Sequence, residues 1–590
     1  MKWLPIFLLL YFSAVSQNEQ LAQNYYDKGD FEKARISYEE LLKLQPYNNF
    51  YFQRLIDSYQ QLKQYDLVKK SIEDRLDKLK QPSLLVELGY NYELQKEQVK
   101  AKKHYEEALS AIKKNPGEVY SIAAIFERRS LLEYALTAYK TARDLQPGFN
   151  FNYQMAVLYG QLGNHDMMIS TFLDEAYANQ NSLVIVQSQL SRFINEDAEQ
   201  SFVEQLRKAL LLRAQKNQEV FWNQFLSWFF VQQKEYGKAF IQEKAIYKRN
   251  PESFSNIVNL AQMAIEDNQD DTAREILAFV LANTNDPELR IQSHYFLIQI
   301  KIADAAPADY PAIEVELERL LAEFGRNPYT LQLQLIEAHF LAFNIKNTQK
   351  AKDLLQMVLE MPLNKFQVSD VKMELADILL LEEKFNQALL YYSQIEEDMK
   401  NDAIGHEASF KAARTSYFKE DFDWAQKQCK ELKSASSQLI ANDALEYFLL
   451  LSDNTAADST HTALKKFARA DYLLYQKKNK EALALFQQIL KEHQGQEIEA
   501  VTLLRTGQLF ELENETQKAL DMYQMIINKY ADCIYVDEAL FYAANMFRDK
   551  LGQPDKAKEY YEKVLFNHQD SIYFVEARKR FRQLRGDTNL

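Results

Sequence analysis

The amino-acid sequence predicts an all-α protein, an α-solenoid built from antiparallel helix pairs. Small and aromatic residues recur along the chain with one spacing, of which Gly89, Ala101, Tyr105 and Ala108 form one copy. Only 13 glycines and 12 prolines occur in 590 residues, against ordinary usage of about 7% and 5%, so few positions favour strands or glycine-rich loops. The 36 Phe, 35 Tyr and 4 Trp residues supply the large apolar surfaces that stacked helix pairs must bury.

The first segment, residues 1–16, has the pattern of a secretory signal peptide. Lys2 provides the positive charge, Trp3 to Phe12 the apolar run, and Ala14-Val15-Ser16 a small-x-small cleavage site. The apolar run is about half as long as the roughly 20 residues that span a membrane. We therefore expect cleavage and export, with an uncleaved anchor helix as the alternative, and no lipid anchor because no cysteine follows the cleavage site.

Helix pairs are predicted throughout residues 17–451. In the first pair, helices at Asn18–Lys28 and Phe31–Leu44 are joined by a turn at Gly29-Asp30, and Pro46 ends the second helix. The copies around residues 150–330 have weaker signatures, and we interpret them as degenerate versions of the same unit. Later prolines punctuate units in the same way: Pro82, Pro116, Pro147, Pro251, Pro287 and Pro328.

The last part of the chain is predicted to contain a linker, a second array and a cap. The polar stretch 452–462 is expected to be a linker loop. In residues 463–570 the spacing returns clearly, for example at Gly507, Ala519 and Tyr523. We expect residues 571–590 to form a capping helix and tail that cover the exposed end of the stack.

The recurring pattern resembles the tetratricopeptide repeat family over about four-fifths of the chain, with the period of roughly 34 residues that marks this family. The register returns at Ala22, Ala34 and Tyr38, and again at Ala135 and Tyr139. The resemblance implies a superhelix whose function is to bind proteins or peptides. It is specific in units that start near Asn18, Leu85, Val119, Lys372, Lys466 and Leu503.

The segment Gln508 to Phe574 is similar in style to exported repeat proteins that help to assemble bacterial outer membranes. Its units contain Lys518-Ala519-Leu520 and Lys556-Ala557-Lys558, each followed by an aromatic residue and a polar turn. This chain differs from those proteins because it has no lipid-accepting cysteine and a longer array. The similarity implies that the protein contacts the outer membrane peripherally.

Charge and motif content argue against several classes of function. The formal net charge is −14, whereas phosphate-driven nucleic acid binding favours a basic surface. The glycines are scattered, and no two of the eight histidines are close enough for a helical zinc-ligand pair. We therefore expect no catalytic residue, no metal, no cofactor and no nucleic acid partner.

Cys429 and Cys533 lie about three repeats apart, too far for a disulfide, so we predict two free thiols.

In repeats of this family the first helix of each pair lines the concave face, and the resemblance places six candidate binding residues there. Exposed aromatic side chains on such a face suit an extended or helical peptide. Alternatively, these side chains pack against the adjacent helix pair. The sequence favours packing and ligand contact equally for the tyrosines, and it favours packing for the tryptophan. The candidates are Tyr26, Tyr90, Tyr120, Glu127, Arg128 and Trp228.

These observations predict an exported scaffold, without enzymatic activity, that binds protein partners in the periplasm or cell envelope and supports envelope or outer-membrane assembly. The alternative is a helical carbohydrate or nutrient receptor of the outer membrane. Such receptors resemble repeat proteins with large loop-rich insertions, and the longest insertions expected here are only about ten residues. The sequence therefore favours the scaffold.

Overall fold

The computed structural model describes residues 18–195, 200–251, 254–435, 437–455 and 460–586. Within these ranges the chain is α-helical, with short turns and 3-10 segments between helices and no β-strand. The predicted signal peptide, residues 1–16, lies outside the described residues. The fold class predicted from the sequence, an α-solenoid of antiparallel helix pairs, is confirmed.

The chain divides into two compact units, residues 1–221 and 222–590. The helices that begin in the N-terminal unit are α1 (18–27), α2 (Phe31–Leu44), α3 (Asn49–Gln61), α4 (Tyr65–Leu79), α5 (Leu84–Leu94), α6 (Gln98–Lys114), α7 (Val119–Arg128), α8 (Leu132–Leu145), α9 (Asn152–Gln161), α10 (His165–Ala178), α11 (Leu183–Asn195), α12 (Gln200–Lys216) and α13 (Val220–Gln232). In this unit α1 to α12 form successive pairs, and the second helix of each pair packs against the first helix of the next.

The C-terminal unit begins within α13. Its further helices are α14 (Tyr236–Arg249), α15 (Ser255–Glu266), α16 (Asp270–Asn283), α17 (Pro287–Asp304), α18 (Tyr310–Phe324), α19 (Leu331–Phe343), α20 (Thr348–Leu359), α21 (Lys365–Leu381), α22 (Phe385–Asp398), α23 (Ala403–Phe418), α24 (Phe422–Ala435), α25 (Gln438–Thr455), α26 (Thr462–Tyr475), α27 (Asn479–Glu492), α28 (Ile498–Leu512), α29 (Thr516–Lys529), α30 (Val536–Asp549), α31 (Pro554–Asn567) and α32 (Phe574–Arg585). The pairs continue through the weak copies of residues 150–330, and α32 packs on α31.

The small-aromatic spacing has a direct structural counterpart within the pairs whose second helices are α2, α6, α8, α22, α29 and α31. On the second helix a buried alanine precedes a buried tyrosine by four residues, as in Ala101 and Tyr105, so both face the first helix. The tyrosine hydroxyl then donates a hydrogen bond to a side-chain oxygen of the first helix, at 2.6 Å from Tyr105 to the carboxylate of Glu93. The aromatic ring therefore packs the pair together, and its hydroxyl fixes the register.

The turn within most pairs contains one residue with a left-handed backbone. Glycine occupies this position at Gly29 (φ 76°) and Gly163 (φ 72°), in agreement with the turn predicted at Gly29-Asp30. Other pairs place a larger residue there, such as Lys96 (φ 65°) or Ser130 (φ 56°). Because the left-handed conformation costs an L-residue about 1 kcal/mol, the packing of the two helices imposes this turn even where the sequence does not favour it.

One helix of the C-terminal unit, α25, interrupts the alternation of first and second helices. It packs against α24 as a further helix, while α26 and α27 form the next pair. The sequence predicts a loop at 452–462, but α25 continues to Thr455. The side chains of Asn454 and Thr455 donate hydrogen bonds to the carbonyls of Leu450 and Leu451, which accommodates these polar residues on the last turn of the helix.

The next pair bypasses α25 and attaches to an earlier helix. The hydroxyl of Tyr472 on α26 donates a hydrogen bond to the carbonyl of Leu380 at 2.7 Å. Gln476 donates to the carbonyl of Leu381 at 3.1 Å, and Tyr475 to that of Asp377 at 2.9 Å. These bonds give additional, side-chain donors to carbonyls at the C-terminal end of α21, and they place α26 beside α21 and α23.

Both cysteines are free, as predicted. Cys429 occupies the aromatic position of α24, where it is buried beside Ala413 and Leu432. Burial raises the pKa of its thiol to about 12. Cys533 is half-buried in the connection between α29 and α30.

Over the described residues, none of the helices combines the length and apolar character needed to cross a bilayer.

Candidate binding grooves

Three of the six predicted binding residues lie together in one groove of the N-terminal unit. Tyr26 comes from α1, Tyr90 from α5, and Arg128 from the end of α7, so the first helices of different pairs bring them to the same face. The groove, here called the N-terminal groove, has a volume of about 460 Å³. Its lining consists of Tyr26, Arg54, Asp57, Gln60, Gln61, Lys63, Tyr65, Tyr90, Leu94, Arg128 and Arg129.

A buried carboxylate organises the charges of the N-terminal groove. The side chain of Glu87 is fully buried and accepts hydrogen bonds from Arg129, at 2.6 Å, and from Arg128. Arg129 also donates to Asp57 at 2.5 Å. Burial disfavours the charge of Arg129, but the two carboxylates outweigh burial and raise the pKa of its guanidinium. Arg129 therefore remains a cation inside the groove.

The tyrosines of the N-terminal groove are covered on one face by arginine side chains. The guanidinium of Arg54 lies 4.3 Å from the ring centroid of Tyr26, and that of Arg129 lies 4.6 Å from the centroid of Tyr90. Both rings are half-buried. They therefore combine the two roles that the sequence leaves open: one part of each ring packs within the array, and another part lines the groove.

The other three predicted residues do not line the N-terminal groove. Tyr120 is 61% exposed and packs edge-on against the rings of Phe149 and Phe151, at 5.8 and 5.5 Å. Glu127 accepts the hydroxyl hydrogen bond of Tyr139 at 2.7 Å, so it takes part in the packing of its own pair. Trp228 belongs to the C-terminal unit, where it is half-buried and edge-on to Phe225.

A second groove, which the sequence did not reveal, lies in the C-terminal unit and is lined by the first helices of four successive pairs, α17, α19, α21 and α23. We call it the acidic groove, and its volume is about 450 Å³. The sequence signal for it is the spacing of Asp370, Glu374 and Asp377, which places three carboxylates on one face of a helix. Its lining consists of Tyr295, Gln299, Ile302, Gln332, Leu335, Ile336, His339, Asp370, Met373, Glu374, Asp377, Ile404, Glu407 and Lys411.

The carboxylates of the acidic groove differ in how far neighbouring side chains satisfy them. Asp377 accepts from Lys411 at 2.7 Å and from the hydroxyl of Tyr392 at 2.5 Å. Burial disfavours the charge of Lys411, but Asp377 and Glu407 outweigh it and raise the pKa of the ammonium. Glu374 lies 3.0 Å from Nδ1 of His339.

Asp370 is the exception in this groove. Among the described residues it has neither a hydrogen bond nor an ion pair through its carboxylate. Burial, and secondarily the negative charge of Glu407, raises the pKa of this carboxyl. The acidic groove therefore contains one half-buried carboxylate that its own surroundings do not neutralise.

Three segments of the chain match tetratricopeptide repeat families: residues 18–48, 502–532 and 538–571. These segments are tetratricopeptide repeats. They coincide with the pairs α1 and α2, α28 and α29, and α30 and α31. Tetratricopeptide domains bind protein partners. No curated protein shows significant sequence similarity to the chain.

The solved structures found to resemble this chain share little sequence with it. Yeast Tom70 is 15% identical, covers 85% of this chain and 99% of its own, and has a TM-score of 0.31. A chain from the structure of Naa15/Naa10 bound to HypK-THB is 13% identical over 90% of this chain and 88% of its own, with a TM-score of 0.26. The TPR domain of P58(IPK) is 14% identical over 62% and 99%, with a TM-score of 0.19. Similarity at this level does not indicate a function for this chain.

Proposed function

We propose that this protein is an exported, non-catalytic scaffold that binds protein or peptide partners in the bacterial cell envelope. The observation that carries the proposal is the construction of its two grooves. Each groove gathers side chains from the first helices of several successive pairs, so each presents a continuous surface to a polypeptide segment. Tetratricopeptide repeats at both ends of the chain support the same function.

The cellular location in this proposal rests on the sequence. The segment 1–16 has the charged start, the apolar run and the cleavage site of a secretory signal. The segment from Gln508 to Phe574 is similar to exported assembly proteins. This similarity supports a role in envelope or outer-membrane assembly, with peripheral rather than spanning membrane contact.

Site-directed photo-crosslinking tests whether the grooves hold protein. A photoreactive amino acid is placed at Tyr90 in the N-terminal groove, at Gln332 in the acidic groove, and at the exposed outer residue Lys103 as the control. Irradiation of whole cells followed by mass spectrometry should give the same defined envelope proteins from repeated groove samples and not from Lys103. Adducts that are equal at all three positions, or glycan adducts alone, would contradict the scaffold and favour a carbohydrate receptor.

Cell fractionation tests the location. The mature chain should appear in the periplasmic or envelope fraction with Gln17 as its first residue by N-terminal sequencing. Retention of the full-length chain in the cytoplasm would exclude the exported role, although it would leave protein binding by the grooves intact.

A further inference from the structure

The lining of the acidic groove combines aliphatic and charged side chains. Ile302, Leu335, Ile336, Met373 and Ile404 supply apolar surface from four helices. Beside them stand carboxylates of α21 and α23, including Asp370 and Glu407. A surface of this kind gains free energy from a ligand that is apolar on one side and positively charged on the other.

The carboxylates of α21 form a row along the face of this helix that lines the groove. Asp370, Glu374 and Asp377 recur at intervals of four and three residues, so they lie on one helix face over about 10 Å at a rise of roughly 1.5 Å per residue. A single small cation would satisfy one position of such a row. Several cationic side chains on one polypeptide would meet the whole row.

Asp370 identifies the position with the most to gain. Lys411 already pairs with Asp377, at 2.7 Å, and with Glu407, at 3.3 Å, and Glu374 lies beside His339. By contrast, Asp370 has no ion pair or hydrogen bond with any residue that the structure describes, and Glu407 lies near enough to repel its charge. An ammonium or guanidinium group from a partner would replace this repulsion with attraction and would remove the cost of a half-buried, unpaired carboxylate.

We propose that the acidic groove binds a cationic amphipathic segment of a partner protein, with its Lys or Arg side chains on Asp370 and on the exposed carboxylate of Glu407, and its aliphatic side chains on Leu335, Ile336 and Met373. The inference rests on the proposed scaffold function and specifies the chemistry of one partner. The groove excludes acidic segments and nucleic acid, because either would place further negative charge beside carboxylates that already repel each other.

Peptide binding to the full chain tests this inference. The probe is a fluorescein-labelled peptide of 18 residues composed of Lys, Leu and Ala in an amphipathic pattern, and the matched peptide has Glu in place of every Lys. Fluorescence anisotropy should show binding of the Lys peptide that weakens at high salt, and no measurable binding of the Glu peptide.

Three variants locate the binding site. Asp370→Asn keeps the shape of the side chain and should weaken the Lys peptide by about threefold to tenfold, and Asp370→Lys by more than about tenfold. Glu397→Gln on α22 removes the same charge from an exposed residue outside the groove and should change the affinity by less than about twofold. Circular dichroism confirms that each variant is folded.

Equal affinity of the wild type and both Asp370 variants, or equal binding of the two peptides, would overturn the inference. That result is distinguishable from failure of the scaffold function, which is read from photo-crosslinking at Gln332 and Tyr90. Protein adducts at Gln332 together with unchanged peptide affinities would show that the groove holds a partner of different chemistry.

Discussion

A Cβ atom added to Gly89 would lie 2.4 Å from Cε1 of the Tyr105 ring and 3.1 Å from the carbonyl oxygen of Ala101. The ring of the second helix thus fills the space that a side chain on the first helix would need. The same relationship joins Gly507 to Tyr523, at 2.5 Å. Close approach of the two helices therefore depends on the absence of one methyl group.

Substitution Gly89→Ala should destabilise the N-terminal unit by about 1 to 3 kcal/mol, because the added methyl group displaces a ring that is packed on its other side by Phe126 and Tyr134. Thermal unfolding followed by circular dichroism measures the effect. Gly148→Ala is the matched control, since a Cβ there meets no atom within 4 Å. An unchanged melting temperature in Gly89→Ala would contradict the packing described for this pair.

Substitution Glu87→Gln should destabilise the N-terminal unit by about 3 kcal/mol, because it removes the buried negative charge that Arg128 and Arg129 share. Chemical denaturation measures the loss. The control is Glu106→Gln, since the side chain of Glu106 is 62% exposed and its lysine partner is 3.8 Å away. Equal stability of the two variants would show that Glu87 contributes no more than a surface carboxylate.

The stability of the C-terminal unit should depend on pH through Glu382. Burial disfavours the charge of this carboxylate, but Lys352, Lys384 and Thr348 outweigh burial and lower its pKa to about 2. An unfolded glutamate has a pKa of about 4.3. The unfolded state therefore binds more protons at acid pH, and the contribution of Glu382 is fully present above about pH 4.3 and is lost as the pH falls towards 2.

Substitution Glu382→Gln should therefore lower stability by about 3 kcal/mol at pH 7 and by about 1.4 kcal/mol at pH 3. Melting temperatures of the wild type and the variant at the two pH values give the comparison. Glu481→Gln, at an exposed residue of α27, serves as the control. A difference between wild type and Glu382→Gln of the same size at both pH values would exclude this linkage.

Substitution Tyr472→Phe should loosen the attachment of α26, because the hydrogen bond from its hydroxyl to the carbonyl of Leu380 is lost while the ring remains. The expected cost is about 1 kcal/mol. Hydrogen exchange should become faster in α26 and at the end of α21. Tyr329→Phe removes a hydroxyl from a residue that is 84% exposed and should leave exchange unchanged. Equal exchange in Tyr472→Phe and the wild type would show that the hydroxyl of Tyr472 does not help to hold α26.

Much of the fold could be predicted because its packing depends on local spacing. The predicted second helix, Phe31–Leu44, has the same bounds as α2, since Gly29 and Pro46 mark both of its ends. The attachment of α26 could not be predicted in the same way, because it depends on Tyr472 and Gln476, more than 90 residues after the α21 carbonyls that they reach.

The candidate sites were harder to predict than the fold. Tyr26, Tyr90 and Arg128 come together because their repeats have clear registers, which fix the exposed face of each first helix. The acidic groove was not predicted because the repeat pattern starts a unit near Lys372, whereas α21 begins at Lys365. Asp370 therefore lies before the predicted start of the helix that carries it. Spacing along one helix shows which residues share a face. Whether that face lies inside a groove depends on the packing of four helices.

The attachment of Tyr472 to Leu380 also bears on how the chain folds. In a simple stack every contact joins neighbours in sequence, so assembly proceeds step by step from any starting point. The Tyr472 bond instead joins residues 92 positions apart, which raises the contact order of this region and is expected to slow its formation. The helices from α22 to α25 are enclosed by that long-range closure, and we expect them to gain and lose structure as one cooperative block rather than pair by pair.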